Sequence, residues 1–291
     1  MELRCNKHIL SFFKDFKLHD IKVQALLTWK NNIIEKDLSI EALNIIISHL
    51  KEILDYATDN YDFNKKISSK LQKVRDDTPK QKNNDAETNY LTYEQYKEFI
   101  NVVDDEQYNL IFEFLYYTGL RIGEFTALTW RNVNLDDKTI TIRESLTTKV
   151  KNKHKKDGET HAVLTPKTSN SVRIVDLDDK LVERLKIHYN KEKLLYGFND
   201  DMFVFGNVKY IAQTTLRRKL DTYITLAKVK RITPHGFRHS HVSLLIYLGC
   251  DVYEVAERIG DTVDMVLKTY YHMFPNKKKH TINVINNLKT S

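Results

Sequence analysis

Thr118-Gly119-Leu120-Arg121-Ile122-Gly123-Glu124 marks the point where the chain changes character. Upstream, Glu106 to Thr118 reads as a helix, and Gly119 stands where a helix needs a residue that tolerates a left-handed conformation to stop. Downstream, a short helix is expected from Gly123 to Thr129, and then the period changes. Thr139-Ile140-Thr141-Ile142 alternates, as a half-buried strand does. His161 to Thr165 and Val172 to Leu177 read as two more strands, joined by a turn at Lys167-Thr168-Ser169-Asn170. Helices then return at Asp178 to Tyr196, Thr214 to Lys228, Pro234 to Leu248, Asp251 to Ile259 and Asp264 to Met273. The fold class expected is mainly α with a small antiparallel β-sheet, an α+β arrangement.

Working outward, Thr92 and Gln95 have capping-box spacing, so a helix should run on to about Val103. Before it, Lys65 to Asn89 is polar and without apolar period, which suits a linker. Earlier still, Ile40, Leu43, Ile47, Leu50, Leu54 and Ala57 recur in steps of three or four and mark one buried helical stripe. Ile21 to Ile34 reads as another helix. The division expected is a helical domain over residues 1–75, a linker over 76–89 and a larger mixed domain over 90–291.

Composition narrows the class. Lys and Arg number 46 against 39 Asp and Glu, a formal +7, which favours a polyanionic partner without requiring one. Cys5 and Cys250 stand far apart with no Cys-x-x-Cys spacing, so they give no disulfide framework or zinc site, and they suit a reducing cytoplasm. The chain opens without a signal-peptide pattern. Its greasiest run, Val242 to Leu248, is far too short for a bilayer, so no membrane role is expected.

Three features carry chemistry. Arg121 follows a helix-ending glycine, with Glu124 three residues on; alone, this is equally a solvated helix start. His235 and Arg238, in Thr233-Pro234-His235-Gly236-Phe237-Arg238-His239, are three apart near a helix N-terminus, a seat for phosphate or a structural His beside a surface Arg. His235 and His239 also have i, i+4 zinc spacing, but no third ligand is evident. Last comes Leu267-Lys268-Thr269-Tyr270-Tyr271-His272-Met273-Phe274-Pro275, which means little in isolation, since the chain has 16 tyrosines.

In this order and at these separations the features resemble the tyrosine recombinase (phage integrase) family, over about Tyr90 to Pro275. Asn6 to Phe13 also resembles part of that family's core-DNA-binding domain. The resemblance implies a helical core-DNA-binding domain, perceived here without its start, followed by the tyrosine-recombinase catalytic domain. An additional arm-binding domain is not expected in these residues. By the same resemblance Arg121 and Arg238 hold the scissile phosphate, Lys167 in the turn protonates the leaving 5′ oxygen, and His235 accepts a proton. Tyr270 attacks to give a 3′-phosphotyrosyl link, and Glu124 braces its basic neighbours. Neither metal nor ATP is implied, because one phosphoester is exchanged for another. The partners implied are double-stranded DNA at core attachment sites and a homotetramer on paired sites; accessory DNA-bending or directionality factors are compatible with it.

One position departs from the family. Where a His or Trp usually follows the glycine, this chain has Ile259-Gly260-Asp261. An acid facing a phosphate would repel it, so Asp261 is expected to point elsewhere and cap the next helix. Tyr271, i+4 from Leu267, is expected to pack beside it. Lys149, Lys151, Lys153, Lys155 and Lys156, around His154, are candidates for DNA phosphate contact or a solvated hairpin tip. Ile282, Ile285 and Leu288 have helical spacing and are expected to pack on a neighbouring protomer. Two other functions stay open on sequence: a type IB topoisomerase-like nick-and-seal enzyme, and a catalytically impaired DNA-binding relic.

Overall fold

The computed structural model describes residues 2–61, 63–75, 89–147, 162–164 and 172–274. The chain divides into two compact units, Met1–Lys82 and Asn83–Ser291. Lys167, the Lys149–Lys156 run and Ile282 to Leu288 lie outside the described residues.

The first unit is helical. It opens with α1 (Glu2–Cys5), a π-helical turn over Asn6–Leu10, and α2 (Ser11–Phe13); α3 (Val23–Ile34), α4 (Ile40–Asn60) and α5 (Lys65–Ser69) follow. Ser39 caps α4 by accepting from the Ala42 amide. The stripe of α4 meets Ile9, Phe13, Leu26, Trp29 and Ile33 in one apolar core. Trp29 Nε1 donates to the His8 carbonyl at 2.7 Å, so the indole is buried without an orphaned N–H. Asn44 clamps the chain at Val74, donating to its carbonyl and accepting from its amide. The polar stretch from Lys65 therefore begins as a helix, and its chain is still tied to α4 at Val74.

The second unit opens with α6 (Tyr93–Asn101), capped reciprocally by Thr92 and Gln95, and α7 (Glu106–Thr118), capped by Asp105. α7 buries Leu110, Ile111, Phe112, Phe114, Leu115 and Tyr116, too wide an arc for a surface helix, which makes it the central one. Gly119 ends it at φ +63°, and a Cβ there would stand 2.5 Å from the His241 ring. α8 (Ile122–Ala127) is followed by β1 (Val133–Asn134), β2 (Thr139–Ile142) and β3 (Ser145–Thr147), then β4 (Ala162–Leu164) and β5 (Arg173–Asp176). The two strands expected on either side of the Lys167 turn do form, but they pair apart. β4 runs antiparallel to β3, and β5 joins β2 and β1 in a three-stranded antiparallel sheet with Ile140 opposite Val175.

α9 (Asp179–Lys193), α10 (Gln213–Ala227), α11 (Gly236–Tyr247), α12 (Val252–Ile259) and α13 (Val263–Tyr270) complete the unit. α11 is a partition. Phe237 packs into the main core against Phe99 and Phe112, whereas Val242 and Ile246 join Val255, Ala256, Ile259, Val266 and Tyr270 in a separate cluster. Among the described residues no helix is long and apolar enough to cross a membrane.

Candidate active site

The site forms where the turn after α7, the start of β5, the start of α11 and the turn between α12 and α13 converge. Glu124 is its anchor. Its carboxylate accepts from the Arg121 amide and Nη1, each at 3.0 Å, and from Arg173 Nη1 and Nη2 at 3.1 and 2.8 Å. Arg173 Nε donates to the Arg258 carbonyl, which ties β5 to α12. Burial acts to raise the Glu124 carboxyl, but its bonds and charge interactions with Arg173 and Arg121 outweigh that and hold it below the usual carboxylate range. Arg173 was not singled out from sequence. The signal was there: Arg173, Val175 and Leu177 share the buried phase of an alternating strand, and a guanidinium in that phase needs a buried partner.

Arg238 is buried, with Nη1 donating to the carbonyls of Gly119 and Ile259 at 3.1 and 2.8 Å. Burial, with Arg121 nearby, pushes its pKa down to about 10, so it remains a cation at neutral pH. Its second amino group and that of Arg121 meet on one atom: Asp261 Oδ2 accepts from Arg238 Nη2 at 2.9 Å and from Arg121 Nη2 at 3.0 Å. The expectation that Asp261 turns away to cap the next helix is corrected. Thr262 is that cap, accepting from the Met265 amide. Two guanidiniums facing one point need an anion between them. The left-handed turn at Gly260, φ +66°, sets the Asp261 carboxylate there and presents the Gly260 carbonyl to Arg121. A Cβ on Gly260 would collide with the Arg173 guanidinium at 2.8 Å. The arrangement is thus two guanidiniums aimed at one oxygen, a geometry that suits an oxyanion.

His235 is the N-cap residue of α11, at the mouth of a cavity of about 860 Å³ that also takes in Arg217, Lys230, Arg231 and His239. Although the residue is exposed, crowding around its ring and the charges of Arg238 and Arg121 lower its pKa. The contact expected of His235 is made by His239, one turn further along: its Nδ1 is hydrogen-bonded to the Tyr270 hydroxyl. The two imidazoles stand edge to face, with centroids 4.8 Å apart. Burial, then His235 and Arg238, bring His239 down to about 4, so it is neutral at pH 7. Tyr270 is 5% exposed and burial pushes its pKa up.

Tyr271 corrects a second expectation. It is 74% exposed and does not pack beside Leu267. Its amide still donates to the Leu267 carbonyl one turn back, at the end of α13, so the i, i+4 relation exists in the backbone while the side chain stays in solvent. His241 was not singled out either; it is buried, accepts from Arg258 Nε and bonds the Tyr116 carbonyl, a bracing role between α7, α11 and α12.

Comparison with known proteins gives one answer. The family model described as the Phage integrase family matches residues 89–277. The ICEBs1 integrase of Bacillus subtilis is 26% identical over 97% of this chain and 75% of its own length. The XerC-like tyrosine recombinase of Caldanaerobacter subterraneus is 24% identical over 97% of this chain and 76% of its own. Among solved structures, the Tn1549 transposon integrase in complex with a circular intermediate DNA superposes with TM-score 0.71 at 17% identity, covering 98% of this chain and 93% of that one. XerH recombinase bound to its difH substrate gives 0.64 at 17% identity, over 96% and 76%. The last two are similarities of fold.

Proposed function

From the premise that this chain belongs to the phage integrase family, we propose how its own residues perform site-specific DNA recombination. The enzyme is a tyrosine recombinase of a phage or other mobile element, cleaving and rejoining DNA strands. Arg121 and Arg238 hold the non-bridging oxygens of the scissile phosphate and stabilise the charge that builds there during attack. Tyr270 attacks phosphorus and becomes linked to the 3′ end, releasing a 5′ hydroxyl. Lys167 protonates that leaving oxygen. Glu124 and Arg173 keep Arg121 aimed, a positioning role. His235, at the entrance to α11, donates to the phosphate. The lysines from Lys149 to Lys156 contact flanking phosphates, the assembly on paired core sites is a tetramer, and the reaction takes place in the cytoplasm.

One observation carries the assignment: two guanidiniums from distant segments converge on a single oxygen, and the charges of Arg238 and Asp261 act on one buried tyrosine, Tyr270. The test is a nicked suicide substrate, which traps the covalent intermediate by losing the 5′ fragment. Wild-type enzyme forms a protein–DNA adduct, Tyr270→Phe binds the same DNA without forming it, and Tyr271→Phe forms it. An adduct with Tyr270→Phe overturns the assignment.

A further inference from the structure

The phenol of Tyr270 must lose its proton as it attacks, and burial makes that loss harder. The acceptor therefore has to be at hand. We propose that His239 is the catalytic residue that takes the Tyr270 proton during strand cleavage and returns it during rejoining. This rests on the reading of Tyr270 as the nucleophile.

The geometry supports His239 over His235. The Tyr270 hydroxyl is hydrogen-bonded to His239 Nδ1, with the two ring centroids 5.6 Å apart and tilted by 52°. His235 packs perpendicular to the His239 ring and stands at the exposed start of α11. Arg238 precedes His239 in α11, so one helix turn carries both the phosphate ligand and the base. The groups around His239 are His235 and Arg238 on its own helix and Tyr270 on α13. Burial, with His235 and Arg238 close by, keeps it neutral, leaving the Nδ1 lone pair for the Tyr270 hydroxyl. A phosphate docking on Arg121 and Arg238 adds negative charge beside Arg238, opposing the repulsion that Arg238 exerts on an imidazolium. His239 thus becomes more basic when substrate is in place.

The step balances. As the Tyr270 oxygen bonds to phosphorus, its proton moves to His239 Nδ1; the bond from phosphorus to the 5′ oxygen breaks, and that oxygen takes a proton from Lys167. In rejoining, a 5′ hydroxyl attacks, its proton goes back to the lysine, and the His239 imidazolium protonates the departing Tyr270 oxygen.

The experiment measures single-turnover cleavage of the suicide substrate by the full chain. His239→Asn keeps an acceptor near the Nδ1 position but has no basic site; His239→Gln is the second variant should Asn fail to fold, with DNA binding checking both. Each is expected to bind DNA as wild type does and to cleave on the order of 100-fold more slowly. Each is then prepared with 3,5-difluorotyrosine at position 270, whose more acidic phenol needs less help, and the deficit should shrink at least about tenfold. A rate within about threefold of wild type, or an equal deficit with both phenols, overturns the proposal; the second outcome would leave His239 merely holding the ring in place. Failure of the nucleophile reading looks different: wild type would form no adduct, or Tyr270→Phe would still form one.

Discussion

Glu124 and Arg173 form a two-point ion pair, 2.8 and 3.1 Å, with both side chains less than a tenth exposed. Neither group is built to touch substrate, yet Arg121 is aimed through them. Without Arg173, Glu124 would keep its bonds to the Arg121 amide and guanidinium, so the cost stays below the roughly 3–5 kcal/mol of an uncompensated buried charge.

Arg173→Ala, which removes two charge-assisted bonds, should therefore lower the unfolding free energy by about 1.5–3 kcal/mol in urea titrations. Arg173→Lys keeps the charge but loses the fork, and should recover only part of it. A loss below about 1 kcal/mol for the alanine variant would mean that solvent reaches the pair.

Asp261 competes with any anion for the two arginines. Asp261→Asn removes its charge and keeps its size, so orthovanadate should bind the DNA-free enzyme at least about tenfold more tightly, measured by calorimetry. Equal affinities would show that the carboxylate leaves the two guanidiniums at no cost.

Among the described residues four histidines have lowered pKa values: His8, His239 and His241 mainly by burial, His239 at about 4, and His235 by crowding and its arginine neighbours. The unfolded chain binds protons on them from about pH 6.5 downward, so the unfolded state gains protons first. Stability is full above that pH and falls as pH drops toward 4, at up to about 1.4 kcal/mol per pH unit for each buried, fully neutral ring and by less for the exposed His235. Glu124, with its lowered pKa, adds a further loss only below the usual carboxylate range. A thermal midpoint that stays level between pH 7 and pH 5 would contradict this.

Lys167 is the proposed acid for the leaving oxygen. Lys167→Ala should cleave an ordinary strand slowly, yet recover on a strand whose 5′ bridging oxygen is replaced by sulfur, which leaves without protonation. An equal deficit on both strands removes Lys167 from that role.

The helices were legible wherever a cap and a period agreed. Glu106–Thr118 is bounded by Asp105 and Gly119, and the structure gives those same limits. The stripe of α4 was legible except that Ile46 is also buried and Ile40 only partly so. β3 escaped because three residues give no period, and β1 because two give less. Arg121, Glu124, His235, Arg238 and Tyr270 could be named because their motifs, weak one by one, together resemble the family's in order and separation. Arg173, His239 and the orientation of Asp261 could not, because their roles depend on contacts across 23 to 140 residues of chain. Asp261 is held by the pull of two cations brought to it from Arg121 and Arg238, which outweighs any repulsion an arriving phosphate would exert.

α11 fastens the site to both hydrophobic clusters at once, and it is tied laterally by Ser240 to the Leu91 amide and by His241 to α7 and α12. Its central amides should therefore exchange with deuterium only when the whole second unit opens, not through local fraying. Arg238 and His239 ride on that slow-exchanging segment, so they have no low-energy way to come apart while the rest stays folded. Heat or denaturant should then abolish cleavage in step with global unfolding, and a partly denatured sample should contain a mixture of fully competent and fully inert molecules, with no population of slow ones.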